Sequence, residues 1–200
     1  MTKKLLFATS NRGKEKEIRR ILSGLQGWEL SFLDGFAGKI DPPEETGKDY
    51  EENAALKAVH YGTMAGGRFV AAEDSGLSVD VLEGAPGIFS ARYRGLSEDR
   101  DKSGALLEAM KRFPAEKRKA RFVAVVCLLS PDGKKRFFRG SVEGTISGSA
   151  RGEGGFGYDP VFIPEGFDRT FAEMSADEKD RLSHRRMALE KLKELLVETA

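Results

Sequence analysis

The sequence is poor in the residues from which covalent and metal staples are made. Its 200 residues include one cysteine, two histidines and one tryptophan. A lone cysteine cannot close an internal disulfide. Cys127 lies in the apolar run RFVAVVCLL and reads as a small buried hydrophobe. His60 and His184, with that single cysteine, are too few for a zinc centre of nitrogen and sulfur ligands. No apolar run approaches the roughly 18–20 residues of a membrane span. After Lys3 and Lys4 come only Leu5-Leu6-Phe7-Ala8, too short for the apolar core of a secretory signal, so a strand in a cytoplasmic protein is expected. Charge of one sign is also missing. Thirty-three Lys and Arg against 32 Asp and Glu leave a net charge of +1. That removes the broad basic face expected of a duplex nucleic-acid binder. Internal repeats and low-complexity segments are absent as well.

What is present is an ordinary globular composition, 40% hydrophobic and 32% charged, in a chain suited to one sizeable domain or two small lobes. Leu5–Ala8 reads as a buried strand and Thr9-Ser10-Asn11 as a helix-capping cluster. Ile18, Ile21, Leu22 and Leu25 then recur at helical spacing, and Gly24 and Gly27 close the segment. Trp28–Leu33 is a second strand, 34–48 a loop rich in Gly, Pro and acids, and 49–65 a helix with small residues on one side. Phe69–Ala72 is a strand expected to stop at Glu73-Asp74-Ser75-Gly76, with a further strand at Leu77–Leu82 and a long loop over 83–100. Asp101–Phe113 is a helix. Arg121–Leu129 and Arg136–Gly144 flank the turn Ser130-Pro131-Asp132-Gly133 and form a hairpin. Gly148–Pro160 is a glycine-rich loop and Leu182–Val197 a charged amphipathic helix. Alternating strands and helices with one hairpin predict a mixed α/β sheet.

Five stretches carry chemistry. Thr9, Ser10, Asn11, Arg12, Gly13 and Lys14 open a helix, where unpaired N–H groups and the positive dipole end favour phosphate. Glu15 follows Lys14 and the upstream glycine is missing, so this is no P-loop; taken alone it is equally a capped helix. Glu73 and Asp74 follow a buried strand. Alternation lets at most one of them face a given site, and such oxygens suit Mg²⁺; the competing reading is a turn that uses Gly76. Glu44 and Glu45, in DPPEETG, gain meaning only as a second arm of a metal site. Gly152, Gly154 and Gly157 match G-x-G-x-x-G, but Tyr158-Asp159-Pro160 cannot open the helix that fingerprint requires. There, Phe156 and Asp159 suit a flat, hydrogen-bonding ligand as well as they suit a simple turn. Last, His184 and Arg185 at a helix start, with Lys179 upstream, can hold phosphate or a carbonyl oxygen.

Taken in order, ATSNRGKEKEI, PPEETG, ENAALKA, AEDSGLSVDVLEGAPGIFSARY, GGFGYDPVFIPEG and TFAEMSADEKDRLSHRRMAL resemble the inosine triphosphate pyrophosphatase family, the Ham1-like enzymes that remove non-standard purine nucleotides. The resemblance spans about residues 4–192. It implies an elongated mixed β-sheet flanked by helices, a single domain (1–200) of two lobes with a substrate cleft between them, and a homodimer. It implies Mg²⁺-dependent hydrolysis of ITP, dITP and XTP to the monophosphate and pyrophosphate. Carried over by position, residues 9–14 contact the triphosphate. Asp74 is metal ligand and general base, Ser75 lies beside it at the substrate, and Glu44 is the second metal acid, with Glu45 adjacent. Phe156, Gly157, Tyr158, Asp159, Lys179, His184 and Arg185 match substrate-binding positions. One departure is Glu73, where relatives carry a second aspartate. By this reading Asp159 accepts the N1–H of a 6-oxopurine, and Arg185 or His184 donates to O6. Two other classes stay open: a nucleotide-binding or RNA-binding module without turnover, though the neutral charge argues against RNA, and a pyrophosphatase of canonical or modified pyrimidine triphosphates.

Overall fold

The structure, a computed structural model, describes residues 2–35 and 41–199. In chain order the elements are β1 (Lys3–Ala8), α1 (Arg12–Ile21), β2 (Trp28–Phe32), α2 (Tyr50–Gly62), β3 (Phe69–Val79), α3 (Asp99–Met110), β4 (Lys119–Leu129), β5 (Lys135–Ile146), β6 (Phe162–Pro164), α4 (Ala176–Leu182) and α5 (His184–Glu198), with short 3₁₀ turns between some of them. The six strands form one sheet in the order β2-β1-β3-β4-β5-β6. β1 pairs parallel with β2, Phe7 opposite Phe32, and parallel with β3, Leu5 opposite Phe69. β6 runs antiparallel to β5. The sheet is mixed, as the expected alternation and hairpin require.

The chain divides into two compact units. The first comprises Met1–Asp74, Ala124–Gly140 and Arg185–Ala200. Its core packs Leu5 and Phe7 of β1 and Val126 and Leu128 of β4 with Ile18 and Ile21 of α1 and Leu189, Leu192 and Leu196 of α5. α1 starts where Asn11 accepts the Lys14 N–H at 3.0 Å, satisfying one orphan donor of the first turn. Trp28 donates its indole N–H to the Leu196 carbonyl at 2.8 Å, so β2 is tied to the end of α5.

The second unit comprises Ser75–Val123 and Ser141–His184. Leu77, Val79, Leu106, Met110, Phe122, Phe162 and Phe171 belong to its core. Phe162 meets Phe122 edge-on at 4.7 Å, and the His184 ring lies flat on Phe122 at 4.8 Å and 9°. The Tyr158 hydroxyl is drawn inward and donates to the Ser90 carbonyl at 3.0 Å.

Three expectations need correction. The strand through Phe69–Ala72 does not stop at Glu73; β3 continues to Val79, and Gly76 is not in the left-handed region. Two buried acids fit inside a strand here because each meets a cation, described below. The loop over 83–100 contains a 3₁₀ segment at Gly87–Gly95. The C-terminal helix begins earlier and is broken. Ser183 is extended (ψ 147°) and separates α4 from α5. α4 starts at a capping box, in which Glu178 accepts the Ser175 N–H at 2.8 Å and Ser175 Oγ accepts the Glu178 N–H at 3.2 Å. The short edge strand β6 was not anticipated. Of the expected loop over 34–48, residues 36–40 lie outside the described residues.

Candidate active site

In the first unit, β3 ends its stay with two adjacent acids that engage different cations, as strand alternation demands. Glu73 is buried and faces α1 and α5. Arg185 grips it in bidentate fashion, Nε and Nη2 each at 2.8 Å. The same guanidinium donates from Nη1 to buried Glu17 of α1. Lys14 Nζ lies 3.4 Å from Glu73. Burial pushes the Lys14 ammonium below its ordinary pKa, with Glu73 opposing and Lys57 and Arg185 adding to the effect. Arg185 stays charged, because Glu73 and Glu17 outweigh the cost of its burial.

Asp74 faces α2. Its Oδ1 accepts from Lys57 Nζ at 2.7 Å, and Lys57 also reaches Glu45 Oε1 at 2.8 Å. One ammonium thus bridges two carboxylates. Burial raises the Asp74 pKa above the usual carboxylate value, while Lys57 and then Lys14 pull against it. For Lys57 burial works against the charge, but Asp74 and Glu45 overcome it and the pKa is raised. Asn53, fully buried, completes the group. Its Oδ1 accepts the Gly47 N–H at 2.8 Å and its Nδ2 reaches Asp74 Oδ2 at 3.4 Å. A side chain at Gly47 would meet Asn53 Oδ1 at 2.6 Å, so glycine is required for this approach. The loop that carries the acids is therefore fastened to α2 beside Asp74.

This geometry separates the two acids of the loop. Glu44 is exposed, whereas Glu45 shares Lys57 with Asp74. Glu45 and Asp74 present hard oxygen donors of the kind Mg²⁺ takes, often only one or two from protein. Asn53 and Lys57 were not singled out from the sequence as site residues. Their signal was present in ENAALKA: polar residues four apart share one helix face among alanines. Glu17 gave no such signal, since its burial depends on Arg185, 168 residues away.

The second unit holds the aromatic-glycine loop. Asp159 is 2% exposed; its Oδ2 accepts the Phe156 N–H at 2.8 Å and a bond from Lys179 Nζ. Lys179 sits 4.7 Å from the centroid of the partly exposed Phe156 ring. Gly155 is left-handed (φ 71°), and a Cβ there would fall 2.0 Å from Asp159 Oδ2. The glycine gives its own chain room for that carboxylate. It does not open space for a phosphate. Within this unit, Phe156, Asp159, Lys179 and His184 are held by the contacts just given. Ser75 is half-buried at the start of the unit's share of β3, and Tyr158 is turned into the core.

The fold and these residues define a nucleotide-handling α/β protein with a carboxylate pair and a capped, lysine-bearing helix start. The chain belongs to the Ham1 family, whose sequence profile matches residues 5–195. It is 49% identical to a dITP/XTP pyrophosphatase of Thermus thermophilus over 191 residues, covering 96% of this chain and 90% of that protein. It is 45% identical to the dITP/XTP pyrophosphatase of Deinococcus deserti, covering 94% of this chain and 86% of that one. Among solved structures, the HAM1 protein of Coxiella burnetii superposes with a TM-score of 0.87 at 35% identity, covering 98% and 99% of the two chains. The Staphylococcus aureus Ham1 protein gives 0.86 at 35% identity, covering 99% and 100%.

Proposed function

We infer that this protein is a pyrophosphatase of non-standard purine nucleoside triphosphates, hydrolysing dITP, XTP and ITP to the monophosphate and pyrophosphate. The observation that carries the reading is the Glu45–Lys57–Asp74–Asn53 group in a chain of this family. Adjacent to it in the first unit, Lys14 and the opening turn of α1 supply cation and N–H donors for the phosphate chain. Asp74 and Glu45 are the acids that would hold Mg²⁺, which when bound offsets charge on the phosphates.

Water attacks the α-phosphorus, the bond to the bridging oxygen of the β-phosphate breaks, and pyrophosphate leaves with that oxygen. Asp74 takes the proton of the attacking water. Its raised pKa makes it a better base than an exposed aspartate. Lys57 is positioned to neutralise charge as the phosphate oxygens take it up. Arg185 is committed to Glu73 and Glu17, so its part is to fix Glu73 and Lys14 rather than to read a base; that role passes to the second unit. There, Phe156 stacks on the purine. Asp159 retains acceptor capacity for N1–H, since a carboxylate has about four lone-pair sites, and His184 donates to O6. Adenine would set donor against donor at position 6, a mismatch that discriminates by about 10⁴–10⁵ where polar groups are left unpaired.

The test is pyrophosphate release from ITP, dITP, XTP, ATP and GTP, with and without Mg²⁺. Release from the first three, dependent on Mg²⁺ and far above the last two, is expected. Release of orthophosphate, or equal rates with ATP, would overturn the reading. A homodimer and a cytoplasmic location remain part of this proposal; sedimentation of the purified chain checks the first.

A further inference from the structure

We propose that the start of α3 is a clamp that sets base selectivity, with Asp99 and Ser103 as positioning residues. The proposal rests on the reading above that the loop at 154–160 meets the purine. Gly157 lies between the stacking ring of Phe156 and the acceptor Asp159, in the left-handed region (φ 64°). Both of its backbone polar groups are taken by α3. Its N–H donates to Asp99 Oδ2 at 2.6 Å, and its carbonyl accepts from Ser103 Oγ at 3.0 Å. Asp99 and Ser103 are four residues apart and so share a helix face. Lys102 stands 3.0 Å from the other oxygen of Asp99 and donates to the Ala91 carbonyl at 3.2 Å, which fixes the acid in turn. Lys102 and Ser103 are buried.

Close packing does not hold the loop here. A cavity of about 640 Å³ is lined on one side by Asp99, Ser103 and Leu107 and on the other by Gly154, Phe156 and Gly157. Tyr158 and Asp159 are anchored separately, at Ser90 and Lys179. The Phe156 N–H donates to Asp159 Oδ2 at 2.8 Å and the Phe156 carbonyl accepts the Asp159 N–H at 3.2 Å, so the turn is closed on itself. The two bonds from α3 hold both backbone polar groups of Gly157 within that turn, and so add to what fixes the face that stacks against the edge that reads. Neither Asp99 nor Ser103 needs to touch the substrate.

Steady-state kinetics with ITP and ATP on the full chain test this, using Asp99→Ala, Ser103→Ala, Ser103→Thr and, as reference, Phe156→Ala. Loss of one hydrogen bond is expected to lower the ITP-over-ATP ratio of kcat/KM by roughly threefold to tenfold. The change should appear mainly as a raised KM for ITP with kcat little altered. Ser103→Thr keeps the hydroxyl and should recover the ratio. If Asp99→Ala does not fold, Asp99→Asn keeps an acceptor oxygen and should show a smaller loss. A lowered melting temperature with an unchanged ratio in the α3 variants overturns the clamp, while a drop in Phe156→Ala leaves the base-reading loop standing. An unchanged ratio in Phe156→Ala overturns the base-reading role itself, and the clamp with it.

Discussion

At the residue scale, the chemistry turns on how buried charges are compensated. Asp74 is held by Lys57 and Asn53 in a region that raises its pKa, which suits a base working near neutrality. Asp74→Asn keeps the shape and removes the base. Turnover of ITP is expected to fall about 10²–10⁴-fold with the circular dichroism spectrum unchanged, and near-normal turnover would remove Asp74 from the role. Asn53 has a different duty. Asn53→Leu leaves the Gly47 N–H without its acceptor and removes the amide donor from Asp74 Oδ2, while Lys57 still donates to Oδ1. A stability loss of about 1–3 kcal/mol is expected, read as a shift of the urea midpoint. If Mg²⁺ is held as proposed, the concentration needed for half-maximal rate should rise as well, because the loop that carries Glu45 loses its tie to α2 at Gly47. Which of Glu44 and Glu45 shares a cation with Asp74 shows only at this scale, since both lie in a loop without periodicity.

At the scale of elements, helix starts were the most legible feature, because a cap is a local device. Asn11, Asp49 and Ser175 each accept an N–H from three residues ahead. Glu178 in the α4 capping box has its pKa lowered from 4.5 to about 2, by the Ser175 N–H first and then by Arg169. Its pKa is depressed on folding, so its contribution is complete above about 4.5 and is lost as pH falls toward about 2. Glu178→Gln should therefore melt below the parent protein at neutral pH, and the gap should close as pH falls through that window. A gap independent of pH would show that the charge is not involved. Strand ends were less legible. β3 runs on through Glu73-Asp74 because partners from α1, α2 and α5 satisfy both acids, and no property of four consecutive residues reveals those partners. The break at Ser183 was hidden in the same way. Ser, His and Arg are all tolerated in helices, and only the docking of α5 in the core of the first unit fixes where it starts.

At the scale of the whole molecule, one long-range tie is a buried ionic cluster. Arg185 joins Glu73, 112 residues away, and Glu17, 168 residues away, in a site 1% exposed. Removing the guanidinium takes the buried bond from Glu17 and the bidentate pair from Glu73, which keeps only Lys14 at 3.4 Å among the cations described above. Arg185→Met is expected to cost about 3–5 kcal/mol, seen as a lowered denaturation midpoint. If stability is unchanged, the triad is not the fastening inferred here.

Much was therefore legible without tertiary structure. Periodicity and capping gave α1, α2 and the β4–β5 hairpin, and the ordered motifs gave the family, because each depends on residues close in sequence. Composition excluded a disulfide scaffold and a membrane-spanning helix. Tertiary structure decided which of Glu44 and Glu45 shares a cation with Asp74, that Glu73 faces Arg185, and that Gly152 and Gly155 make room for the protein's own chain. It also decided that α3 holds both the N–H and the carbonyl of Gly157. These depend on contacts between segments far apart in the chain, where desolvation makes every buried charge and N–H demand a partner, and the sequence names the demand without naming the partner.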